Sequence, residues 1–288
     1  MGIIYEKIMA MRVAPVEQAY EPRDCMLYAL GVGFGHDPTN EDELAFVYEK
    51  NLKVLPTMAT VLGYGGSWAR EAGIDQVKVV NGEQGFTLHR PLQTGGTLIG
   101  QTRILEVIDK GAGKGALIFS ERQVTDKATG ELVATISQTA FCRGDGGFGG
   151  PPRPTPTPTP TPTHPIPTRA PDFTCDLRTR PEAALIYRLS GDYNPLHAEP
   201  AFAKAAGFER PILHGLGTFG VSGHALLKTL CGYDPNRLIS FGCRFSAPVF
   251  PGETIRTQMW RDGAVVSFSA RVVERDVVAI TNGRAEVR

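Results

Sequence analysis

Along the chain the apolar positions fall into two similar series, each a glycine-rich apolar stretch followed by four segments of β-type composition. In the second series, Glu199 to Ala206 predicts a short helix closed by Gly207, and Gly215 to Leu230 predicts a longer one. The longer segment, GLGTFGVSGHALLKTL, has no broad polar face, and its internal glycines each cost about 1 kcal/mol against alanine in a helix. A helix of that kind is buried, and its glycines allow another backbone to come close. Strands are predicted over Leu238 to Ser246, Glu253 to Trp260, Ala264 to Glu274 and Asp276 to Val287, punctuated by Pro251-Gly252 and Asp262-Gly263. The first series repeats the order, with a helix near Met58 to Ala72 and strands across Val77 to His89, Thr97 to Val107, Gly115 to Thr125 and Glu131 to Arg143.

Between the series lies Pro151 to Ala170, PPRPTPTPTPTPTHPIPTRA, whose alternating Pro and Thr block helix and sheet and favour an extended spacer. Residues 1–150, 151–170 and 171–288 are therefore expected as a first unit, a linker and a second unit. The units read as degenerate copies. Pro91, Gly95 and Thr97 match Pro248, Gly252 and Thr254 at a displacement of 157, and Tyr28 and Leu30 match Tyr187 and Leu189 at 159. Val54-Leu55 likewise precedes the first long apolar segment as Ile212-Leu213 precedes the second. The expected class is α+β: a double hot-dog, two buried helices each wrapped by an antiparallel sheet, with the sheets pairing edge to edge so that two edge strands are hidden.

With 42% hydrophobic and 21% charged residues the chain can bury a core, and 30 basic residues against 30 acidic ones advertise no nucleic-acid or anionic membrane partner. No run approaches the roughly 18 apolar residues of a membrane span. Cys25, Cys142, Cys175, Cys231 and Cys243 are odd in number and show no CxxC spacing, which excludes a disulfide framework and predicts neither a metal nor another cofactor. A cytoplasmic location is expected.

The segment that can carry chemistry is YRLSGDYNPLHAEPAFAKAAGFERPILHGLGTFG, Tyr187 to Gly220. It puts Asp192, Asn194 and His197 on a loop opened by Asn194-Pro195. A carboxylate and an imidazole, with ordinary pKa values of about 3.9 and 6.5, suit the holding of a water molecule and the exchange of its protons near neutral pH. An Asp and a His five residues apart are by themselves more often a turn cap and a solvated side chain. His214 reads as a structural group beside the site and His224 as a helix histidine with a local hydrogen bond. His36, His89 and His164 lack metal-ligand spacing.

SGDYNPLH followed by RPILHGLGTFG resembles the hydratase 2 motif of MaoC-like dehydratases, the family that includes the hydratase 2 domains of peroxisomal multifunctional enzymes. NGEQ (Asn81 to Gln84), RPL (Arg90 to Leu92), DKGAG (Asp109 to Gly113), GGFGG (Gly146 to Gly150) and RFSAPVFPGET (Arg244 to Thr254) extend the resemblance over nearly the whole chain outside the linker. It implies a (3R)-specific enoyl-CoA hydratase, with Asp192 and His197 on the catalytic water, Asn194 beside them, and the Gly215 N–H receiving the thioester oxygen. Asn81, Gly82, Lys110 and Phe245 align with positions that touch acyl-CoA, although Asn81 stands where a His is expected. A homodimer is implied as well. Which of Asp192 and His197 handles each proton is open at this level, because two coupled groups share their titration.

In the repeat alignment the first unit has Gly33, Gly35 and Pro38 where the second has Asp192, Asn194 and His197. None of the three exchanges a proton, so one active site per chain is expected, with the first unit devoted to the substrate; the resemblance implies that the lost site and a loosened helix leave room there for the acyl tail. Gly63, Gly65 and Gly66 interrupt helical propensity in a way that fits such a use. A hot-dog acyl-CoA thioesterase and a non-catalytic acyl-CoA binding protein are the competing readings, since one fold hosts several chemistries.

Overall fold

The computed structural model describes residues 3–65, 71–75, 78–150 and 164–288. Five strands of the first half are β1 (Val16–Tyr20), β2 (Val79–Leu88), β3 (Gly96–Asp109), β4 (Ala116–Asp126) and β5 (Leu132–Cys142). Those of the second are β6 (Phe173–Arg178), β7 (Leu238–Phe245), β8 (Thr254–Asp262), β9 (Val265–Val272) and β10 (Val277–Val287). The helices are α1 (Tyr5–Met9), α2 (Pro22–Gly31), α3 (Glu41–Leu44), α4 (Ala183–Tyr187), α5 (Pro200–Ala205) and α6 (Gly215–Leu226).

Period-two burial gives each strand an inner face; β9, for example, buries Val266, Phe268, Ala270 and Val272 in alternation. All ten strands join in one sheet of order β1-β3-β4-β5-β2-β7-β10-β9-β8-β6, every pair antiparallel. The order of one half is the mirror of the other about the β2–β7 seam. Gly85 faces Gly242 across that seam, a pair separated by the repeat displacement, so a local two-fold axis runs between them. Arg244 clasps Glu83 at 2.6 and 2.9 Å two pairs further along. The counterparts α2 and α4 meet on the same axis, with the Tyr28 and Tyr187 rings 5.8 Å apart. This is a double hot-dog fold.

Helix α6 runs along the inner face of the seam. Its residues from Gly217 to Leu226 are all buried, and Phe219 meets Phe241 at 4.6 Å and Phe86 at 6.2 Å between ring centroids. Two of the glycines that weaken it as an isolated helix, Gly220 and Gly223, are places where the first half touches it. A Cβ on Gly220 would lie 2.4 Å from Val32 Cγ1, and one on Gly223 would lie 2.5 Å from Thr57 Cγ2. Beyond Leu226 the helix widens into a π turn, Leu227–Cys231.

Three expectations need correction. The start of the helix foreseen near Met58 to Ala72 is a 3-10 helix over Pro56–Val61, and Leu62 to Gly65 leave helical geometry; residues 66–70, like most of the Pro-Thr linker, lie outside the described residues. The edge strands β1 and β6 and the helices α1 to α4 were not foreseen, because segments of four to ten residues carry too little periodicity to be told from loops. His224 bonds across the halves rather than locally. Its Nδ1 lies 3.4 Å from the Val32 carbonyl oxygen and its Nε2 3.5 Å from Glu43, with Phe34 stacked on the ring at 3.6 Å. Tyr233 donates to the same carboxylate at 3.1 Å, and so does the Gly35 N–H. Burial opposes the charge on Glu43, yet its bonds to His224 and Tyr233 and the attraction of His224 and Lys228 hold the carboxyl below its ordinary range.

Gly220→Ala puts a methyl group into the Val32 contact, and overpacking of this kind destabilises by about 1–3 kcal/mol. Urea unfolding should register that loss for Gly220→Ala, whereas an alanine at Gly130, around which the structure leaves open space, should lose less, from its positive φ alone.

Candidate active site

The loop after α4 is shaped by its own short polar side chains. Asp192 Oδ1 accepts from the Asn194 N–H at 3.1 Å, and Asn194 Oδ1 accepts from the Leu196 N–H at 3.0 Å. Two overlapping turns of this kind, with Pro195 at the first position of the 3-10 turn Pro195–His197, wind the chain so that its ends converge. Asp192 is exposed at the mouth, and His197 is only 8% exposed beneath it. Asn194 is exposed, with its carbonyl oxygen occupied by the turn; its first task is to shape the loop.

His214, 1% exposed, completes the group from the residue before α6. Its ring stacks on that of His197, centroids 3.7 Å apart and planes 26° apart. One polar atom each of Asp192, His197 and His214 lies within 4.8 Å of the others. Each imidazole has one nitrogen against a backbone carbonyl oxygen: His197 Nδ1 at 2.9 Å from Ile212, and His214 Nε2 at 3.1 Å from Asp192. A carbonyl oxygen only accepts, so these nitrogens carry the protons, and His197 Nε2 and His214 Nδ1 are left as bare lone pairs. His214 Nδ1 has no partner and is fully buried.

Burial depresses both imidazole pKa values. For His197 it outweighs the Ile212 carbonyl and the Asp192 carboxylate, both of which favour the proton. For His214 it combines with repulsion from His197 to bring the value to about 4. Both rings are therefore neutral at pH 7, and His197 offers a proton acceptor beside a carboxylate. The three side chains are also a donor set of the kind that can hold a metal ion.

Gly215 opens α6, so its N–H belongs to the first turn, where no helical carbonyl is available to it. A Cβ there would meet the Phe245 ring at 3.6 Å. Phe245 ends β7, next to the start of β2 across the seam, where Asn81 and Gly82 lie. Asn81 is tied to Gln84 and Gln138 at 3.4 and 3.3 Å. Lys110 sits in the turn after β3, at the same end of the sheet but three strands away, about 14 Å at ordinary strand spacing. It is exposed, with Nζ 4.8 Å from the centroid of the Phe141 ring. The DKGAG and GGFGG motifs meet here: Asp109 gathers the N–H groups of Gly111, Gly147 and Gly149 at 2.7 to 2.9 Å. Asn81, Gly82, Phe245 and Gly215 thus share one neighbourhood, and Lys110 stands apart from them.

At the counterpart position of the first half, Gly33, Gly35 and Pro38 carry no acid–base side chain of their own, and Gly35 donates its N–H to Glu43 at 3.1 Å. Gly33 and His36 line a cavity of about 240 Å³ beside Glu43 and His224. Glu43 went unnoticed in the sequence because a short acidic helix, EDEL, reads as solvated surface.

No helix among the described residues is long and apolar enough to cross a membrane. Residues 18–144 match the family described as MFE-2 hydratase 2 N-terminal domain, and residues 162–283 match the MaoC like domain. The chain is 37% identical to "Enoyl-CoA hydratase 2, peroxisomal" of Arabidopsis thaliana, over 98% of this chain and 94% of that one. It is 40% identical to "3-hydroxyacyl-thioester dehydratase Y" of Mycobacterium tuberculosis, over 95% and 91%. The crystal structure of a MaoC-like dehydratase from Phytophthora capsici superposes with a TM-score of 0.84 at 37% identity, over 98% of both chains. With relatives of this identity along nearly its whole length, the chain belongs to the MaoC-like dehydratase family, in the branch that joins an MFE-2 hydratase 2 N-terminal domain to a MaoC like domain.

Proposed function

We propose that the protein is a (3R)-specific enoyl-CoA hydratase, adding water reversibly to a trans-2-enoyl-CoA to give the (3R)-3-hydroxyacyl-CoA. The observation that carries this reading is His197, its Nδ1 held by the Ile212 carbonyl oxygen, clustered with the Asp192 carboxylate and His214 at the N-terminus of a buried helix. A water held by Asp192 and His197 loses a proton to the pair as its oxygen bonds to C3. The π electrons move toward the thioester, whose oxygen becomes enolate-like, and C2 then takes up a proton. The Gly215 N–H and the positive end of α6 stabilise that oxygen, and losing one such donor slows a reaction by about 100-fold or more. Asn194 shapes the loop that holds the water. Asn81, Gly82 and Phe245 line the approach for the thioester and pantetheine, and Lys110 offers a charge to the CoA phosphates.

The first half, with Gly33, Gly35 and Pro38 in place of reactive groups, takes the acyl chain. The 3-10 helix at Pro56–Val61, where the second half has the start of α6, supports that use. The enzyme works as a homodimer with acyl-CoA as its small-molecule partner and with no cofactor. Five free, buried thiols suit a reducing compartment, the cytoplasm in our reading, although the Arabidopsis relative bears the word peroxisomal in its name.

With crotonyl-CoA and trans-2-decenoyl-CoA, loss of the enoyl absorbance should yield the (3R) product, and Asp192→Asn should lower kcat/KM by about 100-fold or more. Free CoA thiol in place of hydration would instead indicate a thioesterase. Because His197 has a pKa below 6.5, the acid limb of kcat/KM should fall below pH 6.5, as protonation removes the acceptor at Nε2. The same sign holds for stability. His197 and His214 bind protons less well folded than unfolded, so the stability they contribute is complete above pH 6.5 and is lost as pH falls toward about 4. Thermal melts across that range should follow, and His214→Phe should flatten the decline.

A further inference from the structure

Arg122 lies on the face of the sheet that carries α6. It pairs across strands with Ile136, which pairs with Phe86, and Phe86 touches Phe219 of α6; residues directly opposite in a ladder share a face. The side chain is 5% exposed. One Nη donates to the Thr60 carbonyl oxygen at 2.6 Å, while Nε is buried with no partner. No acidic side chain among the described residues forms an ion pair with it. Burial lowers its pKa to about 10, which leaves it charged at neutral pH. A buried guanidinium with neither a counter-ion nor a full set of acceptors calls for an explanation.

The repeat makes the oddity sharper. Thr102, the cross-strand neighbour of Arg122, has Met259 as its counterpart at the displacement of 157, and the neighbour of Met259 is Phe268. Met259 and Phe268 are both fully buried apolar side chains under α6. The first half thus has a cation where the second has a phenyl ring. Ser120 and Gln84, both buried, add polar groups on the same face. The guanidinium carbon is 5.2 Å from the centroid of the half-exposed Tyr64 ring, and the Tyr64 phenol feels the charges of both Arg122 and Asp192. The same face carries α6, and the residue before that helix, His214, belongs to the Asp192–His197 cluster.

We infer that Arg122 selects the acyl group, receiving a carboxylate at the far end of the chain, so that the preferred substrates are ω-carboxy-enoyl-CoA thioesters rather than plain fatty ones. The inference rests on the hydratase reading and on the use of the first half for the acyl tail. Its test compares kcat/KM for trans-2-enoyl-CoA substrates of six to sixteen carbons with their ω-carboxy counterparts, in the unaltered protein, Arg122→Met and Arg122→Lys. A charge-assisted pair corresponds to a gain of about tenfold or more. That gain is expected for the carboxylated chain over a limited range of lengths, absent in Arg122→Met and partly kept in Arg122→Lys, with turnover of the plain substrates little changed. Equal or poorer use of every ω-carboxy substrate by the unaltered protein would overturn the proposal. Affinities of the saturated decanedioyl-CoA and decanoyl-CoA and their longer homologues, read by calorimetry, make the same comparison without turnover. They separate a failure of this inference from a failure of the hydratase assignment.

Discussion

The close approach of the first half to helix α6 is the constraint on which the rest of the molecule depends. Gly220 and Gly223 let Val32 and Thr57 sit where side chains of α6 would otherwise stand. A helix with so little intrinsic stability persists because it is enclosed: every residue from Gly217 to Leu226 is buried. The β2–β7 seam carries the same enclosure through the sheet, with Gly85 facing Gly242 on the local two-fold axis. Helix and seam together bring the start of α6, the end of β7 and the start of β2 into one place. The Gly215 N–H, Phe245, Asn81 and Gly82 meet there, although β2 is more than 120 residues from the other two in sequence.

The two halves share a plan and differ in what they do with it. In the second, the loop between α4 and α5 holds a carboxylate over two stacked imidazoles. In the first, the corresponding loop has glycine and proline, and its polar capacity has gone into structure. Glu43 takes hydrogen bonds from Tyr233 and the Gly35 N–H and lies beside His224, tying the loop to α6 and to the chain that follows it. Such a buried cluster is weak as a source of stability and strong as a specifier of which surfaces meet. Arg122 departs from this economy, since its charge has no ion-pair partner among the described residues.

Chemically, the backbone sets the site. Ile212 and Asp192 each present a carbonyl oxygen to an imidazole, which fixes both tautomers and leaves His197 Nε2 free to accept. Burial keeps both rings neutral. His214 matters through the Asp192 backbone that it holds and the ring face that it covers.

Much of this was legible in the residues. Eight of the ten strands, the burial of α6, the duplication and the Asp192–His197 pair follow from period-two alternation, from glycines in an apolar helix and from motifs in fixed order. These are local or internally repeated signals, and each rests on the covalent order of the chain. The short helices and edge strands were too brief to carry a period, and Pro56–Val61 follows a 3-10 path where its counterpart in the second half forms an α-helix. Only the tertiary structure decided which nitrogen of His197 is free, that Glu43 and His224 are partners, and that Arg122 is buried without a counter-ion among the described residues. Each of those depends on the groups that long-range packing sets within a few ångströms and on the water it removes, and neither is encoded in the spacing of residues along the chain.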